Sequence, residues 1–549
     1  MGRGSRADRP DRSLVRRGER ASGEGRVRSR SRRLMPSWLL RRPGDAGNNE
    51  PSKRSSLRGP PLHDRVVRGG FWVLALRVVE RLVWLVRMTV LARMLSPEDF
   101  GRFGIALLAL WLVDYLSRTG FQEALVWEDG HISPYLDTAW TVQALRGVAL
   151  AAILYAAAPA VAAFFREPSA SPLVAAVGIN AALLGFTNIG VVRFQKNLRF
   201  GLQFAYRMSG TLADLVVSFV AAVMLKNAWA LVLGLLSGNF VRLVVSHIVA
   251  PRVRFRIDRE RMRKLVGFGR WVWGSEVLRY VLTQGDDILV GRVLGTEPLA
   301  FYRMGYIYGS APATEVTHVI SGVAFPAYSK LQHEPERLAR AFRRTLRLNM
   351  FLAAPLSAGI IVLGPVFVRV FLGTPESNQW LPMIVPLQLL TAYGFLRAVG
   401  ATAGPVFHGV GRPEILTRLT MLHLATLAVV IYPFTTRWGI EGASIAVLLA
   451  GCVNVPIVIY AVTRVVGLRV RSYLSELLPP VAAAAAAAGV VHGYLVLVGP
   501  EHSVANLAVA ALLGSLLYAA AGLFMKAVFG YDVIATLRGR ERATRRPGA

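Results

Sequence analysis

The residues with the most chemistry to offer are eight charges set in two otherwise apolar stretches: Arg77, Glu80, Arg81 and Arg87 in the first, Glu276, Arg279, Asp286 and Asp287 in the second. At 100° per residue the first four share an arc of about 120° on a helix, and Glu276, Arg279, Thr283, Asp286 and Asp287 share an equivalent arc. A charge inside a bilayer is costly, so each stripe is expected to face a bundle interior or a wet cavity. Two chemistries follow. Guanidinium groups bind phosphate bidentately and keep their proton, whereas carboxylates either pair with a cation or exchange protons.

The two stretches repeat one another. Slid back by 199 residues without a gap, the segment 265–305 lies on the one that starts at Val66, and Val67/Val266, Gly70/Gly269, Trp72/Trp271, Val73/Val272, Arg93/Arg292, Leu95/Leu294 and Glu98/Glu297 coincide. Such a repeat suggests a duplicated membrane bundle. At matched positions the sign reverses: Arg77 against Glu276, Glu80 against Arg279, Arg87 against Asp286. Helices facing each other about a pseudo-axis would bring these residues together, with Arg87–Asp286 as an inter-lobe gate toward the outer side. The alternative is static pairing, between lobes or along one helix at i,i+3 spacing, as for Arg77 and Glu80.

Other arginines within spans are Arg118, Arg146, Arg207, Arg242, Arg292, Arg303, Arg369 and Arg397. Several lie near span ends, where snorkelling to the headgroups suffices, yet a cavity bordered by so many guanidiniums suits an anionic cargo. Asp114, Asp214 and Asp287 are candidate coupling acids; local pairing with an Arg is the plainer reading of the first two.

The elements that carry these residues follow from composition. The chain has 549 residues, 53% hydrophobic, with a mean hydropathy of +0.42 and a formal charge of +31. Apolar runs of about 20 residues, the length of a bilayer-crossing helix, recur along it. They predict an all-α polytopic membrane protein with about fourteen transmembrane helices in two pseudo-symmetric six-helix lobes plus a C-terminal helix pair. The expected organisation is a disordered basic tail (1–65), a first lobe (66–250), a basic linker (251–264), a second lobe (265–465), helices 13 and 14 (466–535) and a basic tail (536–549). Met35 offers an alternative start within the first tail.

Parity places Arg and Lys in nearly all loops of one side, which fixes both termini in the cytoplasm. It also accounts for most of the positive charge without nucleic acid. One inside loop, EDGHISPYLD at 128–137, has neither Lys nor Arg and breaks the pattern. The lone Cys452 excludes an intrachain disulfide and a cysteine metal site. No Walker, HExxH or GxSxG signature appears, so neither an ATP-driven pump nor these hydrolases is expected.

Six motifs then carry a resemblance: LSPEDFGRF (95–103), RFQKNLRF (193–200), DDILVGRVLGTEPLAFY (286–302), FPAYSKLQ (325–332), GVGRPE (409–414) and WGIEGASIA (438–446). Over about 66–530 the chain resembles the polysaccharide transporter or oligosaccharide flippase family of the multidrug/oligosaccharidyl-lipid/polysaccharide exporter superfamily, on its colanic-acid-exporter-like branch. Ala300 stands where that family usually has Gly. The resemblance implies a transporter rather than an enzyme, with no cofactor or metal. It implies movement of undecaprenyl-pyrophosphate-linked oligosaccharide across the cytoplasmic membrane by alternating access. For that anionic headgroup the residue reading offers Arg77, Arg81, Arg207 and Arg242.

Lipid-linked oligosaccharide, anionic membrane lipid and polysaccharide polymerase or export machinery are the expected partners. Two other functions stay open at this point: cation-coupled export of small molecules, and a non-transporting membrane component of polysaccharide biosynthesis. The short outside loops leave no room for the external catalytic loop of a glycan polymerase.

Overall fold

The computed structural model describes residues 62–118, 121, 125, 132–197, 199–373, 378–499 and 503–529, with backbone alone over parts such as 62–74 and 263–278. The expected tails therefore lie outside the described residues over 1–61 and 530–549.

The described chain is built from helices, and turn chemistry sets their ends. Helix α1 (Leu62–Met94) leads into α2 (Pro97–Ser117) through Ser96. Ser96 Oγ accepts from Asp99 N at 3.2 Å and Asp99 Oδ2 accepts from Ser96 N at 3.2 Å. This is a reciprocal capping box, with Pro97 at the start of the helix, where its missing N–H costs nothing. Asp99 also reaches across the bundle, its Oδ1 accepting from Ala228 N at 3.0 Å.

Helices α3 (Ser133–Phe165), α4 (Ser171–Phe186), α5 (Phe200–Leu225) and α6 (Trp229–Val249) complete the first half. Helix α7 (Arg259–Leu294) turns into α8 (Thr296–Lys330) at Gly295, whose φ of 99° suits a residue without Cβ. Then come α9 (Pro335–Phe367), closed by a π-helical turn (Val368–Leu372), and α10 (Ile384–Ala401). Helix α11 (Pro413–Val466) breaks at Trp438 and Gly439 (φ 60°, ψ −139°) and folds back, so that Asn454 Nδ2 donates to Leu419 O at 2.8 Å. The break falls at the start of the WGIEGASIA motif.

The last helices, α12 (Val470–Val498) and α13 (Val504–Phe529), pack on α9. Glu476, 2% exposed, accepts from Arg343 at 2.6 Å and from Arg347 at 2.8 Å. Tyr518 OH donates to Phe351 O at 2.9 Å.

Ten helices among the described residues are long and apolar enough to cross a membrane. The broken α11 counts once among them, and the charge-bearing α1 and α7 are not included. Leu512, Leu516, Leu523 and Phe524 on α13 are each more than 60% exposed, an apolar face that only lipid or protein can cover.

The structure also resolves the loop anomaly. The basic segment 251–258 runs extended across the start of α3. Asp137 Oδ1 accepts from Arg254 N at 3.0 Å, Thr141 Oγ1 from Arg256 N at 3.0 Å and Thr138 Oγ1 from Asp258 N at 3.1 Å. Phe255 packs against Trp140 with ring centroids 4.5 Å apart and planes tilted by 53°. The loop without Lys or Arg ends on the segment that supplies them.

Candidate functional site

In the first half the predicted charges converge on α5 rather than on the second half. Arg87, 5% exposed, lies 2.9 Å from Asp214 Oδ1 and donates to Ser218 Oγ at 2.9 Å. Ser218 in turn donates to Asp214 at 3.1 Å. Glycines on α6 make room for this group, since a Cβ on Gly234 would stand 2.5 Å from Asp214 Oδ1. One turn-pair deeper, Arg207 Nε lies 2.9 Å from Glu80 Oε1. Arg242 donates to Thr211 Oγ1 at 3.1 Å and Asn239 Oδ1 at 3.3 Å.

The candidate coupling acids are all paired. Asp114 lies 2.6 Å from Arg146 and 3.4 Å from Arg118, and Asp214 is held by Arg87. Asp287 lies 3.7 Å from Arg303 Nε. Buried pairs of this kind satisfy charge locally, at the cost of desolvating both partners.

The structure gives the sign-reversed residues other partners. Arg87 meets Asp214, whereas Asp286 accepts from Tyr302 OH at 2.7 Å. Glu80 meets Arg207, and Arg279 is exposed on α7. The Glu276 side chain lies outside the described residues. The reason is geometric: α5 packs against α1 along its length and offers an acid at the depth of Arg87, so the guanidinium is satisfied within its own half.

Of the four headgroup candidates, Arg77 is exposed, Arg207 is half-exposed on Glu80, and Arg242 is partly buried between α5 and α6. Arg81 reaches across the halves, donating to Ile307 O at 2.9 Å with its guanidinium 4.6 Å over Trp84.

What joins the two halves is a set of bonds that sequence reasoning missed. Trp380, fully buried, donates from Nε1 to Ala92 O at 2.8 Å and receives the edges of Phe100 at 5.3 Å and Phe301 at 5.8 Å. Arg93 donates to Phe371 O at 2.8 Å and Val370 O at 2.5 Å. Arg303 Nη1 donates to Gly104 O at 3.0 Å, a bond between residues 199 apart, the repeat offset. Thr89 and Tyr308 hydroxyls meet at 3.0 Å, and Tyr280 OH donates to Leu108 O at 2.9 Å. On α1 these contacts run from Arg81 to Arg93, within about 20 Å of the end that carries Ser96–Asp99. Arg81, Arg93 and Arg303 stood out in the sequence as charges within spans; nothing around Trp380 pointed to it.

A second polar chain runs through the second half. Arg397 bonds Tyr306 OH and lies 5.9 Å over Tyr393, whose OH is 3.3 Å from His423 Nε2. His423 carried no sequence signal.

With this geometry in view, comparison decides the family. The polysaccharide biosynthesis protein family profile matches residues 90–385, more than half of the chain. The chain belongs to the polysaccharide biosynthesis protein family. The lipopolysaccharide biosynthesis protein WzxC of Escherichia coli (strain K12) is 24% identical over 76% of this chain and 85% of its own length. The succinoglycan biosynthesis transport protein ExoT of Rhizobium meliloti (strain 1021) is 23% identical over 67% of this chain and 73% of its own.

Among solved structures, the lipid II flippase MurJ in an inward closed conformation superposes with a TM-score of 0.67 at 14% identity, covering 84% of this chain and 99% of that one. An inward-facing multidrug resistance MATE family transporter of the MOP superfamily gives 0.55 at 15% identity, covering 72% and 96%. At these identities the likeness is one of fold: an all-α, multi-pass membrane transporter fold.

Proposed function

We propose that this chain is a flippase that moves a polyprenyl-pyrophosphate-linked oligosaccharide from the inner to the outer leaflet of the cytoplasmic membrane. Membership of the polysaccharide biosynthesis protein family carries the reading. The residues supply its physical fit. A pyrophosphate leaving the headgroup region loses hydration, and guanidiniums that cannot deprotonate compensate that loss. Arg77, Arg81, Arg207 and Arg242 are the proposed headgroup contacts, with Arg77 and Arg207 the more exposed of the four.

Fourteen helices in two six-helix lobes and a final pair, with both termini cytoplasmic, is the organisation this function would use. The Arg303–Gly104 bond supports a pseudo-axis, since a contact between repeat-equivalent residues sits where such an axis passes. In that orientation the bonds from Trp380 to Ala92 and from Arg93 to Val370 and Phe371 lie on the outer side. Anionic inner-leaflet lipid and the polymerase or export machinery are the proposed partners. Arginine-dominated charge favours an anionic cargo over the small cations of the multidrug branch.

The test is translocation in vesicles. The purified full-length chain is reconstituted, a fluorescent polyprenyl-pyrophosphate oligosaccharide is placed in both leaflets, and a membrane-impermeant quencher reads its sidedness. Transbilayer exchange faster than in empty vesicles is expected, and slower for R77Q/R207Q. Exchange no faster than in empty vesicles would overturn the proposal.

A further inference from the structure

The segment that joins the two halves is not a loose tether. Residues 251–258 form neither helix nor strand, and the N–H groups of the alternate residues 254, 256 and 258 are fixed to Asp137, Thr141 and Thr138 on α3, the spacing of an extended chain. An extended chain places alternate side chains on opposite faces. Val253 and Phe255 lie toward α3, in and beside the cluster around Trp140. Arg252, Arg254 and Arg256 therefore share the other face, spaced about 7 Å apart. All three are exposed, and among the described residues none of their guanidiniums has an ion pair or hydrogen bond. Arg337 and Arg340, by contrast, hold Glu334 and Glu336.

Position and company decide what such a row would meet. The segment follows directly on α6, whose 21 residues cross a bilayer and leave 251–256 at its surface. Phe255 and Ile257 remain 65% and 49% exposed beside the arginines. Apolar side chains next to unpaired guanidiniums at the bilayer boundary match a layer of phosphodiesters above acyl chains. A soluble acidic partner would find the arginines but have no use for the exposed Phe and Ile.

We propose that Arg252, Arg254 and Arg256 form a binding strip for the headgroups of anionic phospholipid, held rigid by α3. It rests on the chain's being a membrane protein and not on its cargo. The strip immediately precedes α7, so bound lipid would sit at the junction of the two halves.

Native mass spectrometry of the full-length chain in non-ionic detergent, titrated with phosphatidylglycerol or phosphatidylcholine, tests this. Phosphatidylglycerol should bind preferentially, and R252Q/R254Q/R256Q should weaken it on the order of a hundredfold, about fivefold for each arginine. The triple Lys variant should retain most of the binding, and R337Q/R340Q should leave it unchanged. Unaltered elution and thermal unfolding of the Gln variant would show it folded. Undiminished phosphatidylglycerol binding by that variant would overturn the proposal. So would equal binding of the two lipids, or tighter binding of an acidic soluble peptide than of phosphatidylglycerol vesicles.

Discussion

Replacing Trp380 should loosen the closure between the two halves by a calculable amount. Trp380→Phe keeps most of the packing but removes the indole N–H that donates to Ala92 O at 2.8 Å. Losing this buried hydrogen bond costs about 1 kcal/mol, since Gln379 Nε2 still reaches Ala92 O at 3.5 Å, and that shifts the closed-to-open ratio roughly fivefold. Trp380→Ala also removes the edge-to-face contact with Phe100 and leaves a cavity, about 3–5 kcal/mol in all. Part of that cost falls on both states, because Phe301 lies in the same half as Trp380. A shift on the order of a hundredfold is expected for the difference.

The assay uses a Cys452→Ala background with Thr283→Cys as reporter. Thr283 is exposed on α7, 11 residues before its end at Leu294, or about 16 Å deep. Whole cells are treated with a membrane-impermeant maleimide. External labelling of position 283 should be slow in the parent, faster with Trp380→Phe and faster still with Trp380→Ala. Equal labelling in all three would refute the reasoning, because the closure would then not depend on the residue that fills it.

Three further outcomes follow from the same geometry. Arg87→Met or Asp214→Asn alone should destabilise the detergent-solubilised chain by about 3–5 kcal/mol, each leaving a buried charge uncompensated, whereas Arg87→Met with Asp214→Leu should recover most of the loss in a thermal unfolding series. Glu476→Ala strands Arg343 and Arg347, so α12 and α13 should become susceptible to limited proteolysis near Gly467 at temperatures where the parent resists. Gly295→Val forces a β-branched residue to φ 99°, a cost of about 1–3 kcal/mol that should appear as a lower melting temperature, while Gly489→Ala, with open space around it, should not.

Local chemistry was legible in the sequence. The LSPED motif contains its own capping box, the LGTEP turn its positive-φ glycine, and the WGIEG motif the break in α11, because each is decided within four or five residues. The 199-residue repeat was legible too, and its offset reappears as the Arg303–Gly104 bond. Long-range partners were not. Arg87 pairs with an acid on α5 more than a hundred residues away, and nothing local distinguishes Asp214 from Asp286 as its partner. Sign reversal between repeat copies describes complementarity in principle, but a helix packed along α1 satisfies the charge first. The acidic loop at 128–137 looked like an exception to charge asymmetry for a similar reason. The arginine-bearing segment that the fold, and not the sequence order, lays across α3 is tied to Asp137 through the Arg254 backbone N–H. Trp380 escaped notice because one aromatic in a polar loop carries no periodicity.

The central claim, outward transfer of lipid-linked oligosaccharide, is tested most directly in a strain deleted for this chain. Lipid-linked oligosaccharides are extracted after treating intact cells and inside-out vesicles with a membrane-impermeant carbohydrate oxidant. The account predicts accumulation of the intermediate on the cytoplasmic leaflet, oxidised only in the vesicles, with surface polysaccharide lost. Normal surface polysaccharide with no accumulated intermediate would contradict it.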